Sequence, residues 1–188
     1  MIYRNSNYTA FYVAEPFSTS QLGAHATKDF CYYNTLRAWK GKDPSFPFND
    51  VHAKTYSVRD GSNWETTLRP RLRERLRYSK NIILFLSSNT KYSCALREEI
   101  SYGACTLGLP IIVVYPELDN SQIVLNEQLS SRVNLLWDKL PILKEAMAKV
   151  PTLHIPMRQK SVSNALSDSE LTIQGKKDGD ITKYFYKQ

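Results

Sequence analysis

Glycine is scarce in this chain. Only Gly23, Gly41, Gly61, Gly103, Gly108, Gly175 and Gly179 occur. A phosphate-cradling loop needs glycines a few residues apart, so that backbone amides can approach the phosphates with no Cβ in the way. Neither a P-loop nor a dinucleotide fingerprint can be assembled from these seven positions. There is no Gly-x-Ser-x-Gly elbow, which argues against a serine hydrolase. The three histidines, His25, His52 and His154, are far apart and lack metal-ligand spacing. His154, in the apolar stretch LHIP, reads as structural. A metal site and a kinase are poorly supported. Cysteine is also rare: Cys31, Cys94 and Cys105 are odd in number, widely spaced and free of any Cys-x-x-Cys. The opening MIYRNSNYT has no apolar targeting run, and no apolar stretch approaches the length of a membrane span. The expectation is a cytoplasmic chain with reduced thiols and no membrane partner.

What is present fits a folded α/β protein. The chain has 188 residues, 42% hydrophobic and 23% charged, enough for one domain with a small appendage. Its 12 tyrosines offer flat stacking surfaces. The net charge of +7 raises the question of a polyanion. Much of the basic charge lies in RPRLRERLR, Arg69 to Arg77, where Leu68, Leu72 and Leu76 recur every four residues. That spacing predicts an amphipathic helix with its arginines on the wet sides. No aromatic interleaving accompanies it, so no nucleic acid is expected.

Thr9 to Ala14, TAFYVA, reads as a first strand. A long polar loop leads to a helix in DFCYYNTLRAWKGK, with Asp29 as its cap and Gly41 as its stop. PSFPFNDV reads as a short second strand ending near Asp50, followed by a loop from His52 to Asn63 and a helix from Trp64 to Tyr78. NIILFLSS and LPIIVVYPE are unbroken apolar runs of the kind found in buried parallel strands, with a helix, CALREEISYGACTLG, between them. The alternation predicts a central parallel sheet with helices on both faces, and ligands beyond the carboxyl ends of its strands. Further on, VNLLWDKLPILKEAMAKV holds a helix interrupted or restarted near Pro141. PTLHIPM is a last short strand and QKSVSNALSD a short helix; the tail from Thr172 is polar, then aromatic. We divide the chain into a core domain, residues 1–118, and a C-terminal extension, 119–188, packed on the same domain.

Two adjacent acids, Glu98 and Glu99, need separating. At about 100° per residue, Leu96, Ile100, Gly103, Ala104 and Leu107 form one apolar stripe. Glu98 falls nearly opposite its centre and should face water. Glu99 falls at its border, where the helix meets the sheet near the strand-end cleft. Burial raises a carboxyl's pKa, a helix N-terminus favours its charge, and a carboxylate held at a cleft is a catalytic candidate. Periodicity alone favours a plainer reading, an ordinary hydrogen-bonded side chain at an apolar border.

The neighbouring residues change the balance. LSSNTKYSCALREEI resembles the TIR-domain signature, roughly L-S-P-N-Y-x-x-S-x-W-C-x-x-E-L. Without a gap, Ser87, Asn89, Ser93 and Glu99 fall on its S, N, S and E, and Ile100 on the final L. FYVA stands where TIR domains carry F-I-S-Y at the first strand, and FNDV at the end of the second. RLRYSKNIILFLS and GLPIIVVY resemble the next helix-to-strand passage and the strand after it. The resemblance runs from about Tyr8 to Pro116, and the whole chain is most similar to the TIR-like proteins of the bacterial Thoeris antiphage system.

It implies a flavodoxin-like TIR fold with a small C-terminal extension. It also implies an enzyme that responds to phage infection, converts NAD into a cyclic ADP-ribose isomer, and so activates a separate NAD-consuming effector. NAD is then a substrate and no cofactor is expected. The partners are an effector protein reached through that diffusible cyclic nucleotide, a phage-derived trigger and other copies of the chain. Glu99 is the implied catalytic carboxylate. Ala14, Phe17, Asp50, Ser87, Ser88 and Tyr92 are the candidate substrate contacts, with Phe17 or Tyr92 as the aromatic. Ser87 and Ser88 equally suit a capped turn, and Asp50 a residue holding its own loop. The chain departs from the family at Ala95, in place of Trp, at Leu96, in place of Cys, and at Val13 and Ala14, in place of the hydroxylated strand end. Two other readings stay open: a non-enzymatic TIR module that assembles with partners, and a nucleoside deoxyribosyltransferase-like enzyme.

Overall fold

A computed structural model describes residues 4–10, 28–53, 63–90, 93–176 and 183–184. Strands β1 (Ser6–Ala10), β2 (Ser79–Phe85) and β3 (Ile111–Tyr115) lie side by side and parallel. Between them come helices α1 (Lys28–Lys42), α2 (Arg69–Arg77, entered through a wide π turn over Trp64–Leu68) and α3 (Cys94–Ile100). After β3 come a short capped helix α4 (Asn120–Ile123) and a two-residue-a-side hairpin, β4 (Val124–Leu125) with β5 (Gln128–Leu129). Asn126 and Glu127 close that hairpin with φ of 51° and 63°, the left-handed pair that a tight primed turn requires. Helices α5 (Ser131–Trp137) and α6 (Pro141–Met147) follow. Strand β6 (Thr152–Pro156), helix α7 (Gln159–Ser167) and strand β7 (Lys183–Tyr184) complete the order β1-β2-β3-β6-β7, parallel throughout.

The sheet is covered on both sides, which explains its unbroken apolar runs: every residue of IIVVY is buried. Tyr8, Ala10, Ile82, Leu84, Val113 and Tyr115 face a core shared with α2, α3, α5 and α6. Ile83, Phe85, Ile112, Val114, Leu153 and Ile155 face a second core shared with α1 and α7. This is the α/β, flavodoxin-like arrangement expected from the sequence.

Three local expectations need correction. PSFPFNDV does not form a strand; it touches the sheet edge through a single parallel bridge, Asn7 to Asp50. Pro44 and Pro47 lack the N–H groups that a ladder needs. Phe46 and Phe48, each 2% exposed, pin the segment by packing instead. The first helix contains both its expected cap, Asp29, and its expected stop, Gly41. It ends just before Pro44, which cannot continue it. The tail, read only as polar and then aromatic, supplies β7.

The Pro141 restart is real, and PTLHIPM and QKSVSNALSD form β6 and α7. His154 is a core residue: Trp137 Nε1 donates to Tyr115 Oη (3.0 Å), which lies 2.8 Å from His154 Nδ1. No helix among the described residues is long and apolar enough to cross a membrane. The three cysteines are free thiols.

Candidate functional site

The site is built where α3 lands on β1 and β2. Ser93 caps the helix, its Oγ accepting from Leu96 N at 3.0 Å. Leu96, Ile100 and Ala104 are buried against the sheet. Beyond Ile100 the helix widens into a π turn, Ser101–Thr106. Within that turn Gly103 lets the helix approach closely: a Cβ there would stand 2.6 Å from Ile82 Cδ1. The docking brings Glu99 beneath the first strand, 8% exposed. Tyr8 Oη donates to Glu99 Oε1 at 2.6 Å. Oε2 is buried and has no hydrogen-bond partner among the described residues.

Burial is the largest influence on Glu99 and pushes its carboxyl up to about 8. The hydrogen bond from Tyr8 and the Arg75 charge pull the other way without winning. Glu99 is therefore a largely protonated acid near neutrality, one step from ionisation.

Glu98 does not simply face water. It accepts from Arg73 Nε at 2.6 Å and pairs with Arg69 Nε at 3.2 Å. Partial burial raises its carboxyl, but the hydrogen bonds and charges of Arg73 and Arg69 outweigh that, and the net shift is downward. The arginine face of α2 is correspondingly occupied rather than merely wet. Arg73 lies over the Tyr102 ring, 4.5 Å from its centre, and Arg77 Nε donates to Tyr102 Oη at 2.8 Å. These contacts fasten α2 to the α3 side of the molecule.

A second polar layer lies behind Tyr8. His52 packs its ring 4.8 Å from that of Tyr8. Its Nε2 is 3.2 Å from the Thr9 carbonyl, which only accepts, so Nε2 carries the proton. Nδ1, 3.3 Å from Arg75 Nη1, is then the acceptor for a guanidinium that only donates. Burial first, then the Arg75 charge, lowers His52 to about 4 and keeps it neutral. Asp50 anchors this turn, accepting from Tyr33 Oη at 2.5 Å and from His52 N at 2.8 Å. Among the described residues, no His, Cys, Asp and Glu side chains gather in threes as a metal ion would need.

The other candidates are less convergent. Ser87 is fully buried in the turn after β2: its N donates to Thr90 Oγ1 (2.9 Å) and its Oγ accepts from Asn89 N (3.2 Å). Ser88 donates through N and Oγ to the Glu117 carboxylate, both at 2.8 Å. Ala14, Phe17 and Tyr92 lie outside the described residues. Ala95, at the family's Trp position, is partly buried against the first core, and Leu96, at its Cys position, is fully within it. Tyr8, His52 and Arg75 were not singled out for function from the sequence. Only His52 had drawn notice, as one isolated histidine.

The paired ionisations make stability depend on pH in a definite way. Glu99 holds its proton in the folded state up to about 8, whereas the unfolded chain releases it near the ordinary 4.5. Its contribution is therefore fully present below 4.5 and lost as pH rises to about 8. His52 acts oppositely: its contribution is present above 6.5 and lost as pH falls through about 4. Glu99→Gln, which cannot ionise, should melt several degrees above the parent at pH 8.5 and at nearly the same temperature at pH 4.5, measured by calorimetry across that range.

The doubly covered parallel sheet is an α/β, flavodoxin-like domain, with a buried carboxylate, Glu99, on the helix that follows β2. Residues 8–121, more than half of the chain, match the family described as Thoeris protein ThsB, TIR-like domain. The chain belongs to that family, and is a TIR-like module of a defence system.

Proposed function

We propose that this chain, when phage infection triggers it, cleaves NAD at the nicotinamide–ribose bond and closes the released ADP-ribose into a cyclic isomer. That product then acts on a separate NAD-depleting effector. The supporting observation is Glu99, a buried carboxyl held by one donor, with its second oxygen unpartnered among the described residues.

The chemistry asks little more of the protein. The nicotinamide nitrogen is cationic, so the C1′–N bond breaks with its electron pair leaving on neutral nicotinamide, and no general acid is needed. The ribose develops oxocarbenium character, which an ionised Glu99 opposes electrostatically. The same cationic substrate favours ionisation of a carboxyl poised near 8. A hydroxyl or ring nitrogen of the same ADP-ribose then attacks C1′, and one proton is released as the new bond forms. Cyclisation wins over hydrolysis only if water is kept out. We assign the reaction to the cytoplasm, with NAD as substrate, no bound cofactor, and self-association of the chain. We take residues 1–118 as the TIR-like domain and 119–188 as a C-terminal extension packed on the same domain.

Ala95, where the family carries an aromatic side chain, favours a second reading: a TIR module that recruits its effector by contact. Mass spectrometry of nucleotides in cells expressing the chain, before and during infection, separates the two. Infection-dependent appearance of a species with the mass of cyclic ADP-ribose is expected. Continued protection of the cells without that species would leave the contact module as the better account.

A further inference from the structure

We infer that Tyr8 is the positioning residue for Glu99: its hydroxyl holds Oε1 at 2.6 Å from the middle of β1, while Oε2, also buried, has no hydrogen-bond partner among the described residues. This rests on the NAD-cleaving reading above. A glutamate has three rotatable bonds, so a catalytic carboxylate needs a fixed partner to stay within the geometry that chemistry requires. Tyr8 is fit for that work. It is 2% exposed and paired in the sheet against Ile82, so its backbone does not move independently of the strand that Gly103 docks upon. Its ring is held by the His52 ring, and His52 is held at both nitrogens, by Thr9 O and Arg75 Nη1. Tyr33 and Asp50 lie behind His52, and Glu98 is turned away onto Arg69 and Arg73. Among the described residues, Tyr8 and Arg75 are thus the groups from neighbouring elements that act directly on the Glu99 charge.

A phenolic donor stabilises the ionised carboxylate more than the neutral acid. Tyr8→Phe keeps the ring and its packing but removes the donor. The test uses the full chain labelled with 13C at glutamate side-chain carboxyls, the Glu99 signal being the one absent from Glu99→Gln. NAD consumption is followed in parallel against pH, in lysates of infected cells at saturating NAD. In Tyr8→Phe the titration midpoint of Glu99 should rise by about one pH unit, which means roughly tenfold less ionised Glu99 below that midpoint. The acid limb of the rate profile should move up with it, with most of the rate recovered at high pH. An unmoved Glu99 midpoint in folded Tyr8→Phe overturns the assignment, whatever the substrate is. A moved midpoint with no NAD turnover by either protein upholds the Tyr8–Glu99 coupling and overturns the NAD reading. A rate loss that is equal at every pH also overturns positioning by this hydrogen bond.

Discussion

Glu99→Gln should reduce the infection-dependent cyclic nucleotide at least about a hundredfold, while Glu98→Gln leaves it within about twofold of the parent. The first figure is the usual cost of deleting one well-placed electrostatic stabiliser. Gln keeps the volume of the side chain and an acceptor for Tyr8 Oη, so the pairing across 2.6 Å survives and the fold is retained. What is lost is the capacity to become an anion opposite a developing positive charge. Glu98 is the matched control, one residue away in sequence. It lies on another face of α3, engaged with Arg69 and Arg73. Its neutralisation weakens partly exposed ion pairs, which contribute little to stability, and touches nothing that faces Tyr8. The measurement is nucleotide mass spectrometry on infected cells, with circular dichroism to show that both variants fold. Equal product from folded Glu99→Gln would remove Glu99 from the chemistry.

Gly103→Val should lower the melting temperature by roughly 6–10 °C and remove most of the cyclic product. The close approach at Gly103 is what seats α3 on the sheet: an added Cβ would lie 2.6 Å from Ile82 Cδ1 and 3.0 Å from Leu76 Cδ2. Overpacking of a filled core costs about 1–3 kcal/mol and at times more. In a chain of this size each kcal/mol corresponds to about 2–4 °C. The strain is relieved by lifting the helix, and Glu99 lies one helical turn before Gly103, so lifting it lengthens the Tyr8 hydrogen bond. Gly103→Ala isolates the cause. Alanine gains about 1 kcal/mol of helix propensity, which offsets part of its clash. Ile82→Val deletes the atom that the new methyl would meet. The double variant should therefore be more stable than the sum of the two single changes by about 1 kcal/mol, read from denaturant midpoints. Strict additivity would mean that Gly103 does not set the helix position.

Much of the fold was legible because its signals are local. Unbroken apolar runs in NIILFL and PIIVVY can only be buried on both faces, and they became β2 and β3. Of the four-residue recurrence Leu68, Leu72 and Leu76, the last two mark the buried side of α2, while Leu68 is only half-buried in the π turn before it. PSFPFNDV misled because its alternating phenylalanines have strand periodicity. The two prolines break the ladder that such a pattern would otherwise form. The short β7 was invisible: two residues carry no period, and they pair only because β6 offers a parallel edge.

At the site the division is sharper. The helical period by itself told Glu99 from Glu98, since two neighbours on a helix differ by about 100° and only one can border the apolar stripe. The period could not name their partners. Tyr8 lies 91 residues before Glu99, and Arg73 lies 25 before Glu98. Such pairs are created when a strand and two helices dock, and docking depends on the space left at Gly103 as much as on any polar residue. Which carboxylate turns inward was therefore decided along the chain. What holds it there, how far its proton is retained, and why its neighbour is occupied elsewhere were decided only by the packing of elements distant in sequence, because burial and charge act through space.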